Sequence, residues 1–172
     1  MANSIPEKIS GYNVYDDAEQ LIGISAEVTL PSLESNAEEV SGAGLLGSYE
    51  SPTLGHFGSI TIEIPFRTLI QKSFSLLKYS GRSLVLRAAQ QSLDVSQGKL
   101  TQRGLKITIK SLPKALELGK LAVGSGTESK NTLEIIYIKI EEDGKKLLEL
   151  DKLNYVYIVD GEDMLAGIKK LI

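Results

Sequence analysis

The chain has 172 residues, enough for one domain with a real core. Hydrophobic residues make up 42% and charged residues 24%, an ordinary balance for a globular domain. A formal net charge of -3 gives no basic footprint for gripping nucleic acid. The absence of cysteine removes disulfide frameworks, thiolate metal sites and cysteine nucleophiles together.

No apolar run approaches the roughly 18 residues that a membrane span needs. The first residues lack a basic start followed by an apolar run, so no signal peptide is expected and production in the cytoplasm is. Val14 and Tyr15 begin a short strand, and Leu21, Ile22 and Ile24 continue in a second. The turn between them is Asp16-Asp17-Ala18-Glu19. Ala26, Val28 and Leu30 alternate with Glu27 and Thr29, which predicts a half-buried strand ending at Pro31. Residues 30–58 are then rich in Gly, Ser and Pro and carry no sustained period. Compact domains rarely hold a connection of that length unless it is functional or disordered. It is expected to be an arm, residues 31–58, ordered by neighbouring copies of the same chain.

Ile60, Ile62 and Ile64 alternate with Ser59, Thr61 and Glu63, the clearest period of two in the chain, and Pro65 is expected to stop it. Over residues 67–79 the period changes. Leu69, Ile70, Phe74 and Leu77 fall at helical spacing, with Thr68 placed to cap. Residues 83–95 and 100–112 predict a long hairpin around Ser96-Gln97-Gly98-Lys99. In its first strand Ala88-Ala89-Gln90-Gln91-Ser92 is small and polar, as for a surface facing water or a close neighbour. Pro113 ends the pairing or marks an edge. A second loop spans 119–131. Residues 132–142 are a strand, Asp143-Gly144 a hairpin turn, 145–150 a return strand and 153–159 another. The runs 133–140 and 153–159 are apolar on both faces, through central burial or a subunit interface. Residues 162–172 predict a short amphipathic helix with Met164, Leu165, Ile168, Leu171 and Ile172 on one side. The expected fold is mainly β: an antiparallel sandwich or open barrel of about eight strands, one flanking helix and a short C-terminal helix, all in a single domain 1–172.

Chemistry-bearing motifs are sparse. Gly42-Ala43-Gly44-Leu45-Leu46-Gly47 spells G-x-G-x-x-G, but Glu38 and Glu39 before it would repel phosphate and no helix follows. Glycine there serves a sharp backbone turn close to another chain. His56 is the only histidine and has no partner at ligand spacing. Asp16-Asp17, Glu38-Glu39 and Glu141-Glu142-Asp143 read as solvated turns and strand ends. Lys169 and Lys170 suit the negative end of a helix dipole. No catalytic, cofactor or metal residue is expected.

The ordered set of Val28-Thr29-Leu30-Pro31, Leu33, Ser41-Gly42-Ala43-Gly44 and Gly47 resembles the major tail tube proteins of contractile-tailed phages, the P2-like family. Leu116-Glu117-Leu118-Gly119-Lys120, Thr127-Glu128-Ser129-Lys130, Asp143-Gly144-Lys145, Glu149-Leu150-Asp151, Asn154, Gly161, Asp163 and Leu165 continue it. The resemblance runs from about residue 26 to the C-terminus and is weaker before residue 26 and over 66–95. It implies packed antiparallel sheets with a flanking helix, in homo-hexameric rings stacked into a tube. It further implies a contractile sheath, baseplate and tail terminator proteins as partners, and DNA passing non-specifically through the lumen of a phage. A headless R-type bacteriocin would use the same tube without DNA delivery. The chain would assemble in the host cytoplasm and end in the virion tail or a released tail-like particle. Contacts between subunits are expected at Pro31, Leu33, Gly42, Gly44, Gly47, Thr127, Glu128 and Lys130, and contact with the sheath at Lys72 and Lys78. The acidic balance and the 88–92 stretch predict a polar lumen that is not basic. Two other classes stay open on the residues alone: a monomeric ligand-binding β-barrel, which would need a cavity with converging polar groups, and an enzyme, for which no nucleophile and base are evident.

Overall fold

The structure is a computed structural model. It describes residues 4–17, 19–25 and 27–172; Ala18 of the first turn and Ala26 of the expected third strand lie outside them. The strands are β1 (Ser4–Asp16), β2 (Glu19–Gln20), β3 (Ser35–Val40), β4 (Tyr49–Phe57), β5 (Thr61–Phe66) and β6 (Ser83–Asp94). They continue as β7 (Lys99–Glu117), β8 (Ser129–Glu142), β9 (Lys145–Asp151), β10 (Val156–Val159) and β11 (Glu162–Asp163). Two short helices, α1 (Gln71–Ser75) and α2 (Ala166–Lys169), complete the described fold. The protein is mainly β and antiparallel, as expected for a sandwich.

One sheet holds nine strands, in the order β11-β10-β9-β8-β7-β6-β1-β2, with β5 on β8. The centre is β8. Along one edge it pairs with β7; along the other it pairs first with β5 and then with β9. That division lets one sheet curl around a single core. Ile60, Ile62, Ile64 and Phe66 face Leu133, Ile135, Ile138, Ile107, Ile109, Leu84, Leu86 and Val14 within it. Pairing with β7 jumps from Lys110–Tyr137 to Ser111–Ile135, so Ile136 is an extra residue, a β-bulge. The bulge turns Leu133, Ile135 and Ile138 all inward. An apolar run on both faces is therefore explained by a central strand whose phase slips once.

The long hairpin forms as expected, in unbroken register from Ser83–Lys110 to Asp94–Lys99. Pro113 lies on β7 beyond the end of β6, so it marks an edge. Asp143-Gly144 closes β8 onto β9 with left-handed φ at both residues, 46° and 82°.

Several expectations change. Among the described residues eleven strands form, several of them short, where about eight were expected. The first runs back to Ser4, while its partner holds only two residues and leaves Ile22 77% exposed. Residues 27–34 are irregular; Val28 and Leu33 touch the core but Leu30 is half exposed. Pro65 does not stop its strand but sits within β5 opposite Lys130. Its missing N–H is harmless because β5 pairs with β8 alone among the named strands. The expected helix 67–79 shrinks to five residues. Ile70, not Thr68, is the N-cap, and Ser73 reaches back to it, its Oγ accepting from Ile70 N at 3.3 Å. Leu76 enters the core while Phe74 stays 49% exposed. Strand 153–159 begins only at Val156. The C-terminal helix has four residues, with Leu165 buried before it and Leu171 and Ile172 exposed after it.

These placements separate two isoleucines that the sequence treats alike. Ile64→Ala, at a fully buried site, is expected to lower unfolding free energy by about 2–5 kcal/mol in urea denaturation. Ile22→Ala should change it by less than about 0.5 kcal/mol.

Candidate assembly interface

The stretch 31–58 is not patternless in the structure. β3 and β4 pair antiparallel as a separate two-stranded sheet, with Glu38 opposite Ser51, Glu39 opposite Glu50 and Val40 opposite Tyr49. Every residue of β3 is exposed. Neither strand pairs with the main sheet. The root end of β4 rests on its own body, Gly55 against Leu165 and Phe57 against the core. A two-stranded ribbon largely exposed over the rest of its length is still marginal in water, and the directly opposed Glu39 and Glu50 repel. Leu45, Leu46, Tyr49 and Leu54 are also exposed along it, Leu46 completely. His56 is an exposed residue of β4 rather than of a loop.

Of the expected contact residues, Pro31 and Leu33 are half-buried on the approach to the ribbon, and Leu33 packs on the chain's own core. Gly42, Gly44 and Gly47 are exposed at its tip. Gly44 and Gly47 have φ of 93° and 122°, which only glycine tolerates well; Gly42 does not use that freedom.

The ribbon is anchored at its root. Gly58 N donates to Glu34 O at 3.3 Å, tying the two legs together. Phe57 meets Tyr157 edge-to-face at 5.1 Å. Lys152 Nζ donates to Gly58 O at 2.8 Å. On β8, the Glu134 carboxylate accepts from Ser59 Oγ at 2.6 Å and Ile60 N at 3.2 Å, and lies 3.7 Å from both Lys114 and Lys152. Burial alone would raise its pKa. The Ser59 hydroxyl, the Ile60 amide and the two lysines outweigh that and hold it below the ordinary carboxylate value.

The second loop is shorter than expected, because β8 already begins at Ser129. Thr127 N and Glu128 N both donate to Arg67 O, and Lys120 N donates to Thr127 O. Glu128 is exposed and pairs with Lys120 at 2.9 Å. Lys130 lies in the strand, 3.0 Å from Glu63 and 3.4 Å from Glu117. Its hydrogen bond to Glu63, against a smaller opposing effect of burial, raises its pKa. Thr127, Glu128 and Lys120 thus come together. Among the described residues no hydrogen bond or ion pair joins this loop to the ribbon. Of the two lysines expected to meet a sheath, Lys72 is in α1 and pairs with Glu19; Lys78 is exposed after it.

Sequence reasoning missed the Glu134 root clamp, whose members come from 59, 114, 134 and 152. It also passed over the exposed aliphatics Leu45, Leu46, Leu121 and Val123. Their signal was apolar residues inside glycine-rich loops, where a lone chain has nothing to bury them.

Glu134 contributes stability that is present above its unfolded pKa and is lost as pH falls through its lowered folded value. Glu134→Gln should therefore reduce the urea midpoint at neutral pH. The gap between variant and wild type should close on acidification.

The family model described as phage tail tube protein FII matches residues 6–172. The chain is 24% identical to the tail tube protein of Escherichia phage P2, over 98% of each chain. It is 25% identical to the major tail tube protein of Serratia phage KSP20, over 94% of this chain and 92% of that one. Among solved structures, a chain of the 6-fold symmetrised anti-feeding prophage baseplate is similar over 76% of this chain and 89% of its own, at 14% identity and a TM-score of 0.43. The chain belongs to the phage tail tube protein FII family.

Proposed function

We propose that this protein is the building block of the inner tube of a contractile phage tail or tail-like particle: homo-hexameric rings, stacked, with no enzymatic role. Family membership across residues 6–172 supports the tube. The observation that carries self-assembly is the ribbon β3–β4: β3 is exposed throughout and, among the described residues, neither strand pairs with the main sheet, although β4 rests on its own chain at Gly55 and Phe57. In this reading 1–172 is one domain, and residues 31–58 and the second loop meet neighbouring copies. Free strand edges would otherwise invite aggregation, and a closed ring consumes them. Pro31, Leu33, Gly42, Gly44, Gly47, Thr127, Glu128 and Lys130 belong to those contacts. Lys72 and Lys78 face a sheath, and baseplate and terminator proteins close the two ends.

The lumen would carry DNA without sequence preference in a phage, or be the bore of a needle in a headless particle. Assembly would take place in the host cytoplasm and the finished tube would sit in the virion tail. A monomeric ligand-binding barrel is the weaker reading. A cavity of 930 Å³ over Gly11, Ala89, Gly104 and Lys106 is an open trough rather than a chamber inside the core.

Negative-stain microscopy and sedimentation of the purified protein test the proposal. Rings or hollow tubes with six-fold end views are expected at high concentration. A single monomeric species at every concentration would contradict it.

A further inference from the structure

Two surfaces have no specific partner assigned so far, and they are complementary. The first is a groove of 470 Å³ between β1, β6, β7 and the segment 27–30. Ile9, Leu30, Leu86, Leu105 and Ile107 line it, with Glu27 in its wall. Leu86 and Ile107 are buried there, but Ile9 and Leu30 stay about half exposed, at 52% and 50%. The core's sheet runs on past its own cover.

The second is the tip of the loop between β7 and β8. Its base is fixed by the hydrogen bonds to Arg67 O and Thr127 O. The backbones press together there: a Cβ on Gly119 would lie 1.8 Å from Thr127 O, and one on Gly126 would lie 2.3 Å from Arg67 O. Above this clamped base Leu121 and Val123 are 92% and 108% exposed. A loop held this firmly presents its two aliphatic side chains at little further entropic cost, which is what a docking knob requires.

Charge selects the pairing. Residues 9–66 contain no lysine or arginine, and among the described residues Glu27 has no cationic partner. The knob's base carries two cations. Arg67 is exposed with no acidic partner among the described residues. Among the described residues Lys120 pairs with Glu128 alone, both of them mostly exposed, an interaction of little worth. The ribbon tip, with Leu45 and Leu46, is the competing knob. It sits on a ribbon whose charged residues, Glu38, Glu39 and Glu50, would meet Glu27 as like charges.

We propose that Leu121 and Val123 of one copy insert into the groove of the next, with Arg67 and Lys120 facing Glu27. The inference rests on the self-assembly reading and names one of its interfaces. Because knob and groove are different surfaces, the contact is head-to-tail, and repetition closes a ring or extends a filament.

The chain has no cysteine, so pairs of single substitutions report directly. Val123→Cys and Leu30→Cys proteins are mixed, assembled and mildly oxidised. A disulfide-linked dimer joining the two variants is expected. None is expected from Val123→Cys with Leu153→Cys, a position that is equally accessible at 74% but remote from the groove. Glu27→Lys should raise the concentration needed for assembly by roughly tenfold, and adding Arg67→Glu and Lys120→Glu should bring it back down. Tubes that form without the 123–30 link, a Leu153 link of equal yield, or indifference to Glu27→Lys would overturn this contact and leave the tube intact. Wild-type copies that never associate would overturn the tube reading, and this contact with it.

Discussion

Backbone groups along a strand need partners, and a side-chain face needs something dry to rest on. The main sheet satisfies both conditions through β8, which has a neighbour on each edge and contributes Leu133, Ile135 and Ile138 to one core. The ribbon β3–β4 satisfies them only in part: each strand is paired along one edge, and only the root end of β4, at Gly55 and Phe57, rests on the main body. Among the described residues its strands pair only with each other, β3 is exposed throughout, and Glu39 and Glu50 face each other across it. A ribbon on those terms is marginal in water. Its existence makes sense if another copy of the chain completes it. The fold can be seen as a self-sufficient sheet that carries an insufficient one.

The connection between the two is well built. Gly58, Ser59 and Ile60 are held by Lys152 and Glu134, and Phe57 by Tyr157. The ribbon's root is therefore fixed even though its body is not. A fixed root and a free body give an arm a defined direction while leaving its conformation to a partner. In the proposed tube that division would lower the ordering cost of assembly, because the entropy of aiming the arm is already lost in the free subunit. The loop between β7 and β8 follows the same design on a smaller scale, clamped at Gly119 and Gly126 and bare at Leu121 and Val123.

The sequence made visible the elements whose side chains answer to burial. Ile60, Ile62 and Ile64 alternate because one face of the chain there is dry, and the long hairpin around residues 96–99 followed from the same logic. β3, with the sequence Ser-Asn-Ala-Glu-Glu-Val, is a strand with no dry face, so it has no period of two to read. The helix over 67–79 failed for a different reason. Its apolar spacing is real, but Arg67 O is taken by the second loop and the Ser73 carbonyl accepts from Asn131 Nδ2 at 2.9 Å. Tertiary hydrogen bonds leave room for one turn. The bulge at Ile136 was also out of reach, since a phase slip in an all-apolar run leaves no mark in residue type. The site was legible only as glycine-rich stretches, and its polar root joins residues 75 positions apart.

The central claim is that residues 35–40 and 49–57 gain their order from sibling copies. Amide hydrogen exchange, measured residue by residue on free subunit and assembled tube, tests it most directly. The account predicts fast exchange across the ribbon in the free subunit, strong protection in the tube, and protection of the core strand β8 in both. Equal exchange across the ribbon in the two states, whether fast or slow, would contradict it.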